Sequence, residues 1–134
     1  MGIYDLFKTD AAVEKDGIEL DYGKGGVIRI CRAGGANSRF GKLLGDRLKP
    51  YRRQLDNGTM DDDVANRIMA EVYADSIIIG WRSIADPDGN DLEFTRENCV
   101  RLLIDLPELF RDIQEQAAKV ANFRKLDLEA DAKN

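Results

Sequence analysis

Between positions 64 and 81 the pattern of apolar side chains leaves this chain few choices. Val64, Ile68 and Val72 recur every four residues, Ala65, Met69 and Tyr73 widen the stripe, and the run continues into Ile77-Ile78-Ile79-Gly80-Trp81. A stripe that broad has to be covered on most sides, so it belongs at the centre of a core rather than on a surface. Asn57-Gly58 supplies a turn ahead of it, and Thr59-Met60-Asp61-Asp62 is a variant capping box whose acids also suit a helix N-terminus. The spacing predicts a helix over 60–81.

Shorter signals flank that element. Ile18-Glu19-Leu20-Asp21-Tyr22 alternates apolar with acidic, Gly23-Lys24-Gly25-Gly26 provides a turn, and Val27-Ile28-Arg29-Ile30-Cys31 is rich in β-branched residues, which reads as a β-hairpin. Gly34-Gly35 ends it. Asn37 stands where a helix N-cap is wanted, ahead of Phe40, Leu43, Leu44, Leu48 and Tyr51, predicting a helix over 37–54 that Pro50 kinks or ends. After the polar break Asp86-Pro87-Asp88-Gly89-Asn90-Asp91, Thr95 caps a helix over 95–104, with Phe94 and Cys99 as a hydrophobic staple. Asp105-Leu106-Pro107-Glu108 restarts the chain for a final helix over 106–123.

The fold class expected is therefore mainly α: a small helical domain of about four helices with a short N-terminal β-hairpin. Residues 1–16 read as a flexible N-terminal arm, 17–124 as a single α-rich domain, and 125–134 as a disordered acidic tail. Ile68, Val72, Trp81, Phe94, Leu103 and Phe110 are the candidate core. At 134 residues the chain should bury roughly 65–70% of its unfolded surface, enough to fold without staples.

Composition narrows the chemistry. There is no histidine, so Ser-His and Cys-His dyads and imidazole metal ligands are missing, and no catalytic, metal or cofactor-binding residues are assigned. The expectation is a protein that is not an enzyme and needs no cofactor. Cys31 and Cys99 are far apart and neither belongs to a C-x-x-C pair, which fits two buried thiols. No stretch approaches the ~20 apolar residues of a membrane span, and the N-terminus lacks the basic and apolar regions of a signal peptide, so a cytoplasmic protein with no membrane partner is expected. Met1-Gly2 does not mark myristoylation, because Leu6 stands where Ser or Thr is required.

Charge is sharply segregated. Residues 24–53 carry nine basic side chains against Asp46 alone, while 54–100 carry eleven acids against Arg67, Arg82 and Arg96. Segments of opposite sign on one chain favour charge-complementary association, and head-to-tail contacts of that kind make rings or open helices. Solvated intramolecular pairing is the equally available outcome. The candidate interaction face is Arg39, Lys42, Arg47, Lys49, Tyr51, Arg52 and Arg53, with Asp61, Asp62 and Asp63 as the acidic counterpart. Basic residues interleaved with an aromatic also fit a small basic-faced nucleic-acid-binding protein, although a pI of 4.8 argues against free nucleic acid as the partner. A third alternative is a calcium-binding module: Asp86, Asp88 and Asn90 followed by Glu97 approximate an EF-hand loop, but Asp91 occupies the glycine position and Glu93 the apolar one. The glycine pairs lack the spacing of phosphate-binding loops.

Arg32-Ala33-Gly34-Gly35-Ala36-Asn37, Lys49-Pro50-Tyr51-Arg52-Arg53, Tyr73-Ala74-Asp75, Gly80-Trp81, Asp88-Gly89, Leu92, Phe94, Glu97-Asn98 and Leu106-Pro107 occur in one continuous order over roughly residues 26–123. In this the chain resembles the tail assembly chaperones of long-tailed, siphovirus-type bacteriophages and prophages. The resemblance implies a helical, non-enzymatic protein of the infected host's cytoplasm, absent from the mature virion, that coats the tape measure protein, keeps it soluble, and helps recruit the tail tube protein. It also implies a homo-oligomer along the rod and a longer form made by ribosomal frameshifting, for which Ala132-Lys133-Asn134 can be encoded as a slippery heptamer.

Overall fold

The computed structural model describes residues 2–124. The expected disordered tail, 125–134, lies outside the described residues. Along the chain run α1 (Ile3–Phe7), α2 (Ala11–Asp16), β1 (Ile18–Asp21), β2 (Val27–Ile30), α3 (Ser38–Leu48), α4 (Arg52–Asn57), α5 (Asp62–Ser76), β3 (Ile78–Arg82), α6 (Arg96–Asp105) and α7 (Pro107–Ala118). The domain is mainly α, as expected, and the hairpin belongs to a three-stranded antiparallel sheet ordered β1-β2-β3.

The largest departure from the sequence reading falls inside 60–81. Asp61, not Thr59, caps α5: its Oδ1 accepts the backbone N–H groups of Asp63 and Val64 at 2.8 and 3.3 Å. The helix stops at Ser76, whose hydroxyl bonds back to the Val72 carbonyl at 2.6 Å, and the chain then turns into β3. Two consecutive β-branched residues and Gly80 are poor helix formers, and β2 offers a ladder that they fill well. Pairing Ile28 with Trp81 and Ile30 with Ile78 makes room for one extra residue, Ile79, which bulges outward and is 44% exposed.

Other boundaries shift for local reasons. The helix expected over 37–54 is two: Pro50, lacking an N–H, sits in a 3-10 turn over Lys49–Tyr51 between α3 and α4. Asn37 occupies the cap position of α3, but its amide donates to the Arg32 and Ser76 carbonyls instead of capping. Thr95 caps α6 as expected, accepting from Asn98 N–H at 3.0 Å. The final helix ends at Ala118, and Val120–Phe123 continues as a 3-10 turn that buries Phe123. Four helices therefore understate the count.

Within the expected arm over 1–16, the described residues 2–16 form two short helices, α1 and α2. Thr9 and Arg32 both bond the Glu14 carboxylate, Arg32 N–H bonds the Glu14 carbonyl at 3.1 Å, and Asp10 N–H bonds the Phe123 carbonyl at 2.8 Å. Among the described residues α1 leaves Ile3, Tyr4 and Phe7 exposed.

The core lies between the sheet and α5, α6 and α7, around Ile28, Ile30, Ile77, Leu103 and Ile113. Of the expected core residues, Ile68, Val72, Leu103 and Phe110 are buried. Trp81 is only half-buried and Phe94 is 36% exposed, because both lie at the sheet's margin rather than under the helices.

Candidate functional site

Among the described residues there is no group of three or more Cys, Asp or Glu side chains able to hold a metal ion. The EF-hand-like loop is used internally. Asp86 Oδ1 accepts the backbone N–H groups of Asp88 and Asn90, each at 2.9 Å, which folds a tight polar turn. Glu97 belongs to a different face and lines a cleft with Arg67 and Arg96. Both thiols are buried, and burial pushes Cys99 up to about 12 and raises Cys31 as well.

What the fold does build is a pair of grooves on the two sides of the N-terminal half of α5. α3 runs antiparallel to α5, as Phe40 against Tyr73 and Arg47 against Glu71 show. Their far end forms a groove of about 480 Å³ with Pro50, Tyr51, Val64 and Ile68 as its apolar part. On the other side, α5, α6 and α7 leave a wider groove of about 680 Å³. Met69, Leu103, Ile104, Pro107 and Phe110 make it apolar, and Asp63, Arg67 and Arg111 rim it. Ile104 is 41% exposed and Leu106, at the adjoining turn, 48% exposed.

A charge network fixes the helices that line these grooves. Glu71 and Asp75, one turn apart on α5, receive three guanidinium groups: Arg47 from α3 at 2.8 and 3.3 Å, Arg96 from α6 at 2.7 Å to Asp75, and Arg67 from α5 itself at 3.2 Å to Glu71. Sequence reading missed Arg67, Glu71, Asp75 and Arg96 as a unit. The signal available was the i, i+4 spacing of Arg67, Glu71 and Asp75 on one helix face.

Of the candidate interaction residues, Arg47 is thus drawn into internal pairs and is not a free contact. Arg39 and Lys42 on α3, Lys49 in the 3-10 turn, and Arg52 and Arg53 on α4 are exposed, and among the described residues none has a carboxylate within 4.0 Å. Tyr51 is half-buried in the smaller groove. Asp61, Asp62 and Asp63 are exposed at the start of α5, Asp61 serving as its cap.

The profile of the YdaY prophage protein family matches residues 35–134, a span that takes in α3 through α7 and both grooves. The chain belongs to the YdaY prophage protein family. It is therefore a phage-type protein, and the part of it that carries the family likeness is the part that builds the grooves. The first two helices and the hairpin precede the matched span. No curated protein and no solved structure matches the chain. No helix among the described residues is long and apolar enough to cross a membrane.

Proposed function

We propose that this YdaY family protein is a tail assembly chaperone that covers apolar helical surface on the tape measure protein. The observation that carries the reading is the open groove between α5 and the α6–α7 corner, with Met69, Ile104, Pro107 and Phe110 facing a space of about 680 Å³. An amphipathic helix buries its apolar stripe in a trough of this kind, and charged rims such as Asp63, Arg67 and Arg111 keep the loaded surface soluble. A rod-like partner that would otherwise aggregate through exposed apolar surface is the substrate such a trough fits. The sequence resemblance to tail assembly chaperones points the same way, and prophage membership agrees with it. In this reading the protein works in the host cytoplasm, leaves before the virion matures, and a longer form recruits the tail tube protein.

The test is co-expression with the tape measure protein of the same phage or prophage. The wild type should keep that protein soluble and co-purify with it whether or not nuclease is present. Ile104→Glu, at a position that is 41% exposed, should cut recovery at least ten-fold. Capture that persists in Ile104→Glu and Met69→Glu together would sink the groove as the binding site.

A second reading has its own observation. Arg39, Lys42, Lys49, Arg52 and Arg53 form an exposed basic strip, the footprint of a phosphate-backbone contact. Nuclease-sensitive co-purification that is lost in Arg52→Glu/Arg53→Glu would favour nucleic acid over the tape measure.

A further inference from the structure

The antiparallel run of α3 and α5 changes how the two charged segments face one another. Separated along the chain, they suggest a head and a tail. In the fold they lie at the same end of the molecule, on opposite flanks of the groove built by Pro50, Tyr51, Val64 and Ile68. On the α3–α4 flank stand Lys49, Arg52 and Arg53, exposed. The other flank is the first turn of α5, with Asp62 and Asp63 exposed, and Asp63 lines the opposite groove, so its side chain faces away from the basic flank. None of these five residues has an ion-pair partner among the described residues.

We propose that this end of the molecule is a self-complementary surface that pairs two copies of the chain about a two-fold axis. An apolar centre with a basic side and an acidic side is the arrangement that a two-fold operation satisfies twice: each copy lays its Arg52 and Arg53 against the other's Asp62 and Asp63. The contact then closes at two copies instead of growing into a ring or filament. The neighbouring apolar side chains agree with a covered surface: Val64 is 36% exposed, Leu55 on α4 is 45% exposed, and neither α3 nor α4 contains a fully buried residue. Charges at the margin of such a contact set its register and its salt dependence, while Pro50, Tyr51 and Val64 supply the surface removed from water. This pairing borders the tape measure groove on the far side of α5 and shares Asp63 with its rim, while Lys49, Arg52, Arg53 and Asp62 lie outside that groove.

The experiment is light scattering and sedimentation of the full chain over a concentration series at low and high salt. The wild type should be a dimer at low ionic strength and dissociate at ~1 M salt, where screening acts within about 3 Å. Arg52→Glu/Arg53→Glu and Asp62→Lys/Asp63→Lys should each weaken association at least ten-fold, with Asp61 left in place as the helix cap. Mixing the two variants, or combining all four changes in one chain, should restore a dimer, a rescue that general destabilisation cannot produce. A wild type that stays monomeric at low salt, reversals without effect, or a rescued species that grows past two copies would each overturn the proposal.

Discussion

Trp81 and Phe94 meet edge to face, ring centroids 4.9 Å apart and planes at 79°, and the indole N–H donates to the Leu92 carbonyl at 2.8 Å. This pair closes the loop that leaves β3 and returns to α6, and it holds one end of the sheet against the polar turn at Asp86. Phe94 serves as a lid on Trp81 more than as a core residue, which explains how it packs while remaining partly exposed.

Trp81→Ala should therefore destabilise the domain by about 2–3 kcal/mol, below the ~3–5 kcal/mol of a fully buried large aromatic. Trp81→Phe should recover most of that but leave the Leu92 carbonyl without its donor, at a cost of about 1 kcal/mol. Chemical denaturation midpoints of the two variants check the order, and equal losses would mean that the ring packing against Phe94 carries nothing and the indole hydrogen bond carries the whole effect.

Alkaline pH should weaken the fold. Burial pushes Cys99 from its ordinary 9.0 to about 12 and Tyr73 from 10.0 to about 12, and burial together with the Asp112 carboxylate raises Tyr22 further. Each raised pKa means that the unfolded chain gives up its proton first, so the contribution is whole below about pH 9 and is lost as pH climbs toward 12. Thermal melts from pH 7 to 11 should show a midpoint that is level and then falls. Cys99→Val should shrink the fall between about pH 9 and 10, leaving the smaller share that Cys31 contributes, and an unchanged fall would remove Cys99 as the leading group.

The Glu14–Arg32 pair should behave as the latch of the N-terminal segment. The Glu14 side chain is 5% exposed and the Arg32 side chain 22% exposed, and a Cβ at Gly35 would fall against the Glu14 carboxylate. Arg32→Ala, which leaves a carboxylate buried, should cost about 3 kcal/mol and speed amide exchange in α2, whereas Arg32→Met with Glu14→Gln should lose far less. Similar losses in both would show that the ion pair itself stabilises the segment and that a stranded carboxylate is not the source of the cost.

Asp75 should couple α3 to α6. Arg47→Ala and Arg96→Ala each remove one of its two interhelical partners, and since both guanidinium groups are well exposed, each should cost about 1 kcal/mol or less. The two losses should not add, because both act through Asp75 and Glu71. A double-mutant cycle that comes out additive would show that the three helices are held independently.

Prophage family membership and the mainly α architecture agree with the sequence reading, and the reason is visible in particular residues. Thr95, Pro50 and Pro107 act within one helical turn, and their effects on boundaries survived folding nearly unchanged. Ile77, Ile78 and Ile79 extend a helical stripe when read alone, and only the unpaired edge of β2 draws Ile78 and Ile79 into a strand, with Ile77 closing the helix. Arg47 reads as one more member of a basic run until α3 folds beside α5 and delivers it to Glu71 and Asp75.

The sequence by itself determined the helical stripes, the Thr95 cap, the hairpin and the separation of charge, because these depend on neighbours within a few residues. The tertiary structure decided which charges are spent inside the molecule, where the apolar grooves open, and that the basic and acidic segments share one end. Those outcomes follow from how whole elements pack, and packing brings together side chains whose spacing along the chain says nothing of their distance in space.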